Sequence, residues 1–236
     1  MSQKAPLGLL LLHALPLDGS MWAECMDLIP GSTFAPTLYG FGSSVEEWAE
    51  AAIQLVPNKK FIVVGCSVGA SCALEVAVAA PDRIAALVLI GCKADHNPDP
   101  EFYFSALEWL GEQGTNLAWE KYWAPLFSKS TAKNILEKAK KNALSQDVQL
   151  LANGITAFHT RPSRGQYLAD IKVPVAVVTG EEDVAPGLEV SAMQCASVKN
   201  STLHIIPKCG HYVPLEQPQV IRKIILSLLE AYENRT

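Results

Sequence analysis

The stretch from Phe61 to Ala70, Phe-Ile-Val-Val-Gly-Cys-Ser-Val-Gly-Ala, constrains this chain most, because it joins two buried elements through one polar residue. Phe61 to Val64 is an unbroken run of aromatic and β-branched residues, the pattern of a strand covered on both faces. Val68 to Ala80 is rich in Ala and Val and ends at Pro81, which cannot continue a helix. A strand that turns into a helix with almost no loop brings two backbones together, so the positions flanking the turn must be small. Gly65 and Gly69 stand there. Ser67 is thereby lifted above the sheet edge, with the first helix amides aimed at whatever sits on its hydroxyl, as in a nucleophile elbow. Cys66 reads as a small buried hydrophobe rather than a thiol nucleophile.

A turn of this kind needs a base and an acid on later loops of the same sheet edge. Ile84 to Ile90 is a further buried strand ending at Gly91, and Asp95 follows it as a weaker acid candidate. Val175 to Thr179 leads to Gly180-Glu181-Glu182-Asp183, and Thr202 to Ile206 leads to Cys209-Gly210-His211. Asp183 and His211 thus follow successive strands, on the same edge as Ser67 and in the chain order of one type of Ser-His-Asp triad. Asp183 is preferred over Asp95 because a glycine turn aims it just before the strand that delivers His211. Glu181 and Glu182 come early in that loop and read as solvated.

The first strand, Leu7 to Leu12, runs into the loop His13-Ala14-Leu15-Pro16-Leu17-Asp18-Gly19-Ser20-Met21-Trp22. Loops at the carboxyl ends of parallel strands line the cleft of an open sheet. The Leu15 amide is therefore paired with that of Val68 as the expected oxyanion hole. His13 is read as a brace for the loop and Trp22 as a packing residue. A short strand over Thr33 to Leu38 precedes the turn Gly40-Phe41-Gly42-Ser43-Ser44 and a helix from Val45 to Val56. No acidic ribose partner follows those glycines at the right distance, which excludes a dinucleotide site.

Between 95 and 169 the pattern is helical and aromatic, with Phe102, Tyr103, Phe104, Trp109, Trp119, Tyr122, Trp123 and Phe127. Val148, Leu151, Ile155 and Phe158 form a stripe at helical spacing. An all-helical insertion between parallel strands is expected to roof the cleft, giving a core of 1–94 and 170–236 with a cap of 95–169. Trp123, His159 and Arg161 are the substrate-contact candidates in it. For His159 and Arg161, which close the last cap helix before Pro162, an ordinary charge at a helix C-terminus is the competing account.

Composition fits a single soluble globular domain: 236 residues, 49% hydrophobic and 18% charged. A net charge of −5 without blocks of one sign argues against nucleic acid as partner. The six cysteines show no metal-ligand pairing, and read as reduced thiols of a cytoplasmic protein with neither metal nor cofactor. Leu7 to Leu17 after Lys4 looks like the core of an export signal. It is too short to span a bilayer, lacks a small-residue cleavage site, and reads better as the first strand. No membrane association is expected, and the oligomeric state is left open.

The segments Leu12-His13-Ala14-Leu15, Gly40-Phe41-Gly42-Ser43-Ser44, Gly65-Cys66-Ser67-Val68-Gly69, Gly180-Glu181-Glu182-Asp183 and Gly210-His211 with Glu216-Gln217-Pro218 resemble successive signatures of the α/β-hydrolase superfamily. Arg161-Pro162 through Asp183 and the modest cap are similar to 3-oxoadipate enol-lactonases and small carboxylesterases. The resemblance implies a doubly wound, mainly parallel sheet under a helical cap, with about six strands and the family's leading hairpin missing. It implies a serine hydrolase cleaving a small, largely hydrophobic ester or lactone through an acyl-enzyme. Ser67 would be the nucleophile, His211 the base and Asp183 the acid. Two departures stand out: Ala14 where many members have Gly, and Tyr39 where an Asp-Arg pair often precedes the glycine turn. A cofactor-free lyase or haloperoxidase, and a non-catalytic ligand receptor, are the alternatives on the same scaffold.

Overall fold

Short apolar runs bounded by turn residues become the strands of one parallel sheet. The computed structural model describes residues 7–235, so Lys4, the charge that accompanied the export reading, lies outside the described residues. The strands are β1 (Leu7–Leu12), β2 (Thr33–Phe34), β3 (Lys60–Cys66), β4 (Ile84–Ile90), β5 (Val175–Gly180) and β6 (Ser201–Ile206). Their order across the sheet is β2-β1-β3-β4-β5-β6, every neighbouring pair parallel. The chain steps outward from β1 to β2 and then crosses back to place β3 on the other side of β1. The strand order therefore reverses between β1 and β3, the place where a crevice opens at the carboxyl ends of the strands. Leu12 pairs in register with Gly65, which sets the loop after β1 beside the turn at Ser67.

β2 is shorter than the expected Thr33 to Leu38. Pro36 cannot donate to a ladder, and Leu38–Phe41 winds into a 3-10 turn instead.

The helices are α1 (Val45–Leu55), α2 (Val68–Ala79), α3 (Pro100–Ala118), α4 (Lys133–Leu144), α5 (Val148–Thr160), α6 (Gly187–Ser197), α7 (Val213–Glu216) and α8 (Pro218–Glu233). Ser44 and Glu47 close a capping box at the start of α1. Apolar on nearly every side, α2 is covered on nearly every side, packing against β1, β3, β4 and α1.

Helices α3, α4 and α5 lie between β4 and β5 in the chain. α3 begins on the Asp99 side chain, which accepts from the Phe102 amide, and is interrupted at Gly114 (φ +76°) before a π-helical turn over Trp119–Trp123. In α5, Leu151 and Ile155 are buried and Phe158 half-buried, as the stripe requires; Val148, the first residue of the helix, is 43% exposed. The two ends of this helical segment are held together. The Arg164 amide donates to the Ala94 carbonyl at 2.8 Å, and its guanidinium forms two 2.7 Å bonds to the buried carboxylate of Glu75 on α2. A two-pronged pair fixes orientation as well as position.

All six cysteines are free thiols. Among the described residues no helix is long and apolar enough to cross a membrane.

Candidate active site

Ser67 sits at φ 57°, ψ −120°, a left-handed backbone that a residue with a Cβ adopts only when its surroundings impose it. The surroundings here are main chain. A Cβ on Gly65 would stand 2.2 Å from the Gly69 carbonyl oxygen, and one on Gly69 2.3 Å from that of Leu12. The Ser67 amide donates to the Ile90 carbonyl at 2.8 Å, tying the turn to the end of β4. Cys66, one residue earlier, is buried, and burial raises its thiol pKa well above the ordinary value, so it is no nucleophile.

His211 and Asp183 are brought together by close approach of the loops after β5 and β6. A Cβ on Gly180 would meet the Gly210 carbonyl oxygen at 2.1 Å. The result is a buried pair in which His211 Nδ1 lies 2.9 Å from Asp183 Oδ2. The other carboxylate oxygen of Asp183 accepts from the Ala185 amide at 2.9 Å. An imidazole that donates from Nδ1 to a carboxylate keeps its lone pair on Nε2, the form that can accept a proton. Ser67 and His211 line the same two cavities. Asp95 is elsewhere: it is exposed and accepts a 2.9 Å bond from the Ser163 hydroxyl.

The loop after β1 is clamped from both sides. Tyr39 donates its hydroxyl to the Leu17 carbonyl at 2.6 Å, and Tyr212 donates to that of Leu15 at 2.9 Å. Tyr39 thus serves as a neutral strut for this loop. His13 accepts from the Leu38 amide at Nε2 (2.8 Å) and faces the Ala14 carbonyl with Nδ1 (3.2 Å). Complete burial pushes its pKa down to about 4, so it is a neutral brace. The amides of Leu15 and Val68 donate to no protein group among the described residues. Val68 opens α2 and has no preceding helical turn to serve.

Four supports of this site escape a reading of the residues alone. Gly91, at φ +54°, gives way to the imidazole: a Cβ there would lie 2.7 Å from His211 Cε1. The Leu126 carbonyl accepts from the His211 amide at 2.8 Å. Glu216 accepts from the amides of Gly210 and Ser128 and, at 2.6 Å, from the Thr131 hydroxyl. Tyr212 completes the set. Gly91 left a trace as a glycine at the end of a strand, and Glu216 as part of Glu216-Gln217-Pro218. Glu182, although exposed, is not simply solvated: it accepts a 2.8 Å bond from the Ser128 hydroxyl.

Two cavities diverge from Ser67 and His211. One, of about 390 Å³, is walled by Leu15, Phe102, Tyr122, Trp123, Ile155 and Phe158. The other, of about 270 Å³, is bounded by Lys93, His96, Asn97, Asp99, His159 and Arg161. Trp123, His159 and Arg161 all therefore line space that opens on Ser67. Arg161 is only 5% exposed, and its Nη1 donates to the Phe158 carbonyl in the last turn of α5, the contact expected of a charge at a helix C-terminus.

Residues 9–224 match the family described as "Alpha/beta hydrolase family". A putative 2-succinyl-6-hydroxy-2,4-cyclohexadiene-1-carboxylate synthase of Bacillus subtilis (strain 168) is 30% identical over 92% of this chain and 88% of its own length. Among solved structures, a thermophilic esterase from Thermogutta terrifontis superposes with a TM-score of 0.88 at 25% identity, covering 97% of this chain and 91% of that one. The enol-lactonase from Burkholderia xenovorans LB400 superposes at 0.84 with 18% identity, covering 96% and 92%.

Proposed function

This chain belongs to the alpha/beta hydrolase family, and from that premise we propose that it is a serine hydrolase of small carboxylic esters or lactones. The observation that carries the reading is the buried His211–Asp183 pair beside Ser67, with both Ser67 and His211 facing the same cavities. A serine hydroxyl is a weak nucleophile at neutral pH, so it needs the base. Ser67 Oγ attacks the acyl carbon as Nε2 of His211 takes its proton. The tetrahedral intermediate collapses, the bond from carbon to the leaving oxygen breaks, and the imidazolium returns the proton to that oxygen. Water then repeats the sequence on the acyl-enzyme and releases the acid. Asp183 holds the imidazole in the Nδ1–H tautomer and stabilises its charged form.

The free amides of Leu15 and Val68 are the donors for the developing oxyanion. A donor of this kind contributes about 2.7–4 kcal/mol to the transition state. The segment from α3 to α5 acts as the cap: α3, the turn over Trp119–Trp123 and α5 wall the apolar cavity. The esterase and enol-lactonase names of the structural neighbours agree with this chemistry.

The relative named as a synthase favours a second reading, in which the same triad moves protons without forming an acyl-enzyme. One experiment separates them. Intact mass is measured after treatment with a fluorophosphonate, and a panel of 4-nitrophenyl esters and lactones is assayed, for the wild type and Ser67→Ala. The hydrolase reading expects a single adduct and ester turnover, both lost in Ser67→Ala while the melting temperature is kept. An adduct on Ser67 without turnover of any ester or lactone would move the weight to the second reading. Near wild-type turnover in Ser67→Ala would overturn the role of Ser67.

A further inference from the structure

The two cavities that meet at Ser67 differ in kind, and one side chain in the polar lobe lacks what a buried charge requires. Arg161 follows α5, is 5% exposed, and forms no salt bridge among the described residues. Its one hydrogen bond is from Nη1 to the Phe158 carbonyl, its guanidinium carbon lies 4.1 Å over the Phe158 ring, and its buried Nε has no partner. Burial lowers its pKa to about 10, which still leaves it cationic at neutral pH. A buried cation without a counter-ion is strongly disfavoured unless something supplies the missing charge.

The C-terminal end of α5 supplies part of it through the Phe158 carbonyl, and the rest of the lobe supplies no anion to Arg161. Lys93 adds a second positive charge at the rim. His96 binds the His159 carbonyl through Nε2 at 2.8 Å, and burial lowers the pKa of both histidines, that of His159 to about 4. The one acid in the lining, Asp99, is exposed and committed to the Phe102 amide at the start of α3. The lobe is therefore a net cationic space with an unused, preorganised guanidinium edge, opening on the nucleophile. The planar fork of arginine matches a carboxylate, whose two oxygens can accept two parallel N–H bonds.

We propose that Arg161 binds a carboxylate of the substrate, so that the ester or lactone carries an acid group in the polar lobe and an apolar portion in the other cavity. The proposal rests on the hydrolase reading of Ser67 only for the identity of the reacting bond; the anion site stands on Arg161 itself.

The test compares kcat/KM for 4-nitrophenyl hemiadipate with that for its neutral isostere, 4-nitrophenyl 6-methylheptanoate, each corrected for spontaneous hydrolysis. The wild type is expected to prefer the anionic ester at least tenfold. In Arg161→Gln the hemiadipate value should fall at least tenfold more than the isostere value. A wild-type ratio of one or below, with the isostere cleaved, overturns the anion site and leaves the hydrolase reading intact. A preference that survives in Arg161→Gln also overturns the assignment. The wild-type ratio needs no variant, and if Arg161→Gln does not fold, Arg161→Lys, which keeps the charge and loses the fork, takes its place with the same expected loss. If neither ester is cleaved, the hydrolase reading is what fails. Calorimetry with adipate then decides: binding that disappears in the variant supports the site, and no binding to the wild type overturns it.

Discussion

The loops on the sheet edge and the helical segment above them are built under opposite tolerances. At the sheet edge the main chain approaches itself so closely that no side chain fits: a Cβ on Gly65, Gly69 or Gly180 would lie 2.1–2.3 Å from a backbone oxygen. In the helical segment Gly111 and Gly114 have nothing within 4 Å of that position, and Gly154 is crowded only by the side chains of Leu15 and Tyr39. Ser67, Asp183 and His211 are thus placed by backbone, which can shift little, whereas the walls of the cavities are placed by side chains, which can be exchanged. Positioning errors of an ångström are expensive to a reaction and cheap to a binding wall.

The contrast is most exposed at the two acids that the residues nominate. Asp183→Asn should lower kcat about 10⁴-fold, the loss seen when a triad imidazole is left in the wrong tautomer. Asp95→Asn, whose partner is Ser163 at the foot of the helical segment, should change it by less than about tenfold. Steady-state kinetics on one good ester checks both, and the reverse pattern would break the division of labour.

A second comparison uses protons. His13 in the β1 loop and His159 in the helical segment both have pKa values lowered to about 4. A group lowered in the folded state binds its proton first in the unfolded chain, so stability is full above about pH 6.5 and is lost as pH falls toward 4. For buried His13 the full loss is about 3 kcal/mol. His159 is only half-buried and should contribute much less. Melting temperatures between pH 7 and 4 should fall steeply in wild type and in His159→Gln, and less steeply in His13→Gln, from a lower start. Equal slopes in the two variants would place the acid-sensitive brace elsewhere.

Gly91→Ala tests the backbone rule at a glycine that carries no reacting group and lies against His211. The new methyl would press on His211 at 2.7–2.8 Å and would have to accept φ +54°. A fall in kcat of order 10² is expected, with KM changed little. If kcat is kept, the imidazole has more room than the closeness of the loops implies. The smallest effect belongs to the wall. Trp123→Ala should reduce kcat/KM about tenfold for bulky acyl groups and leave a 4-nitrophenyl acetate rate within about threefold, because remote contacts serve binding. Equal losses on both substrates would make Trp123 a positioning residue for the triad.

What could be read from the residues follows the same line. β4 runs from Ile84 to Ile90 as its apolar run predicts, because a strand buried on both faces has a local signature. The elbow is legible since Gly65 and Gly69 are close to Ser67 in the chain. Asp183 and His211 are legible as strand-end residues, although their pairing spans 28 positions. Gly91 against His211, Leu126 under His211, and Tyr39 and Tyr212 holding the β1 loop are not legible, because each joins residues whose approach is decided by the finished sheet. Arg161 was open to two readings for the same reason: a charge at a helix end looks alike whether it meets water or a cavity.

The pinned ends of the helical segment bear on how this protein could be re-engineered. Ala94 and Arg164 are one hydrogen bond apart, and Arg164 is locked onto Glu75 of the core. The chain between them is a removable cassette in geometric terms, since a graft needs only to begin and finish at two adjoining posts. One stretch of it cannot be exchanged freely. Leu126 to Thr131 reaches down to hold the His211 amide and the Glu216 carboxylate, so a transplanted segment that omits this rib would arrive with new cavity walls and an unsupported His211.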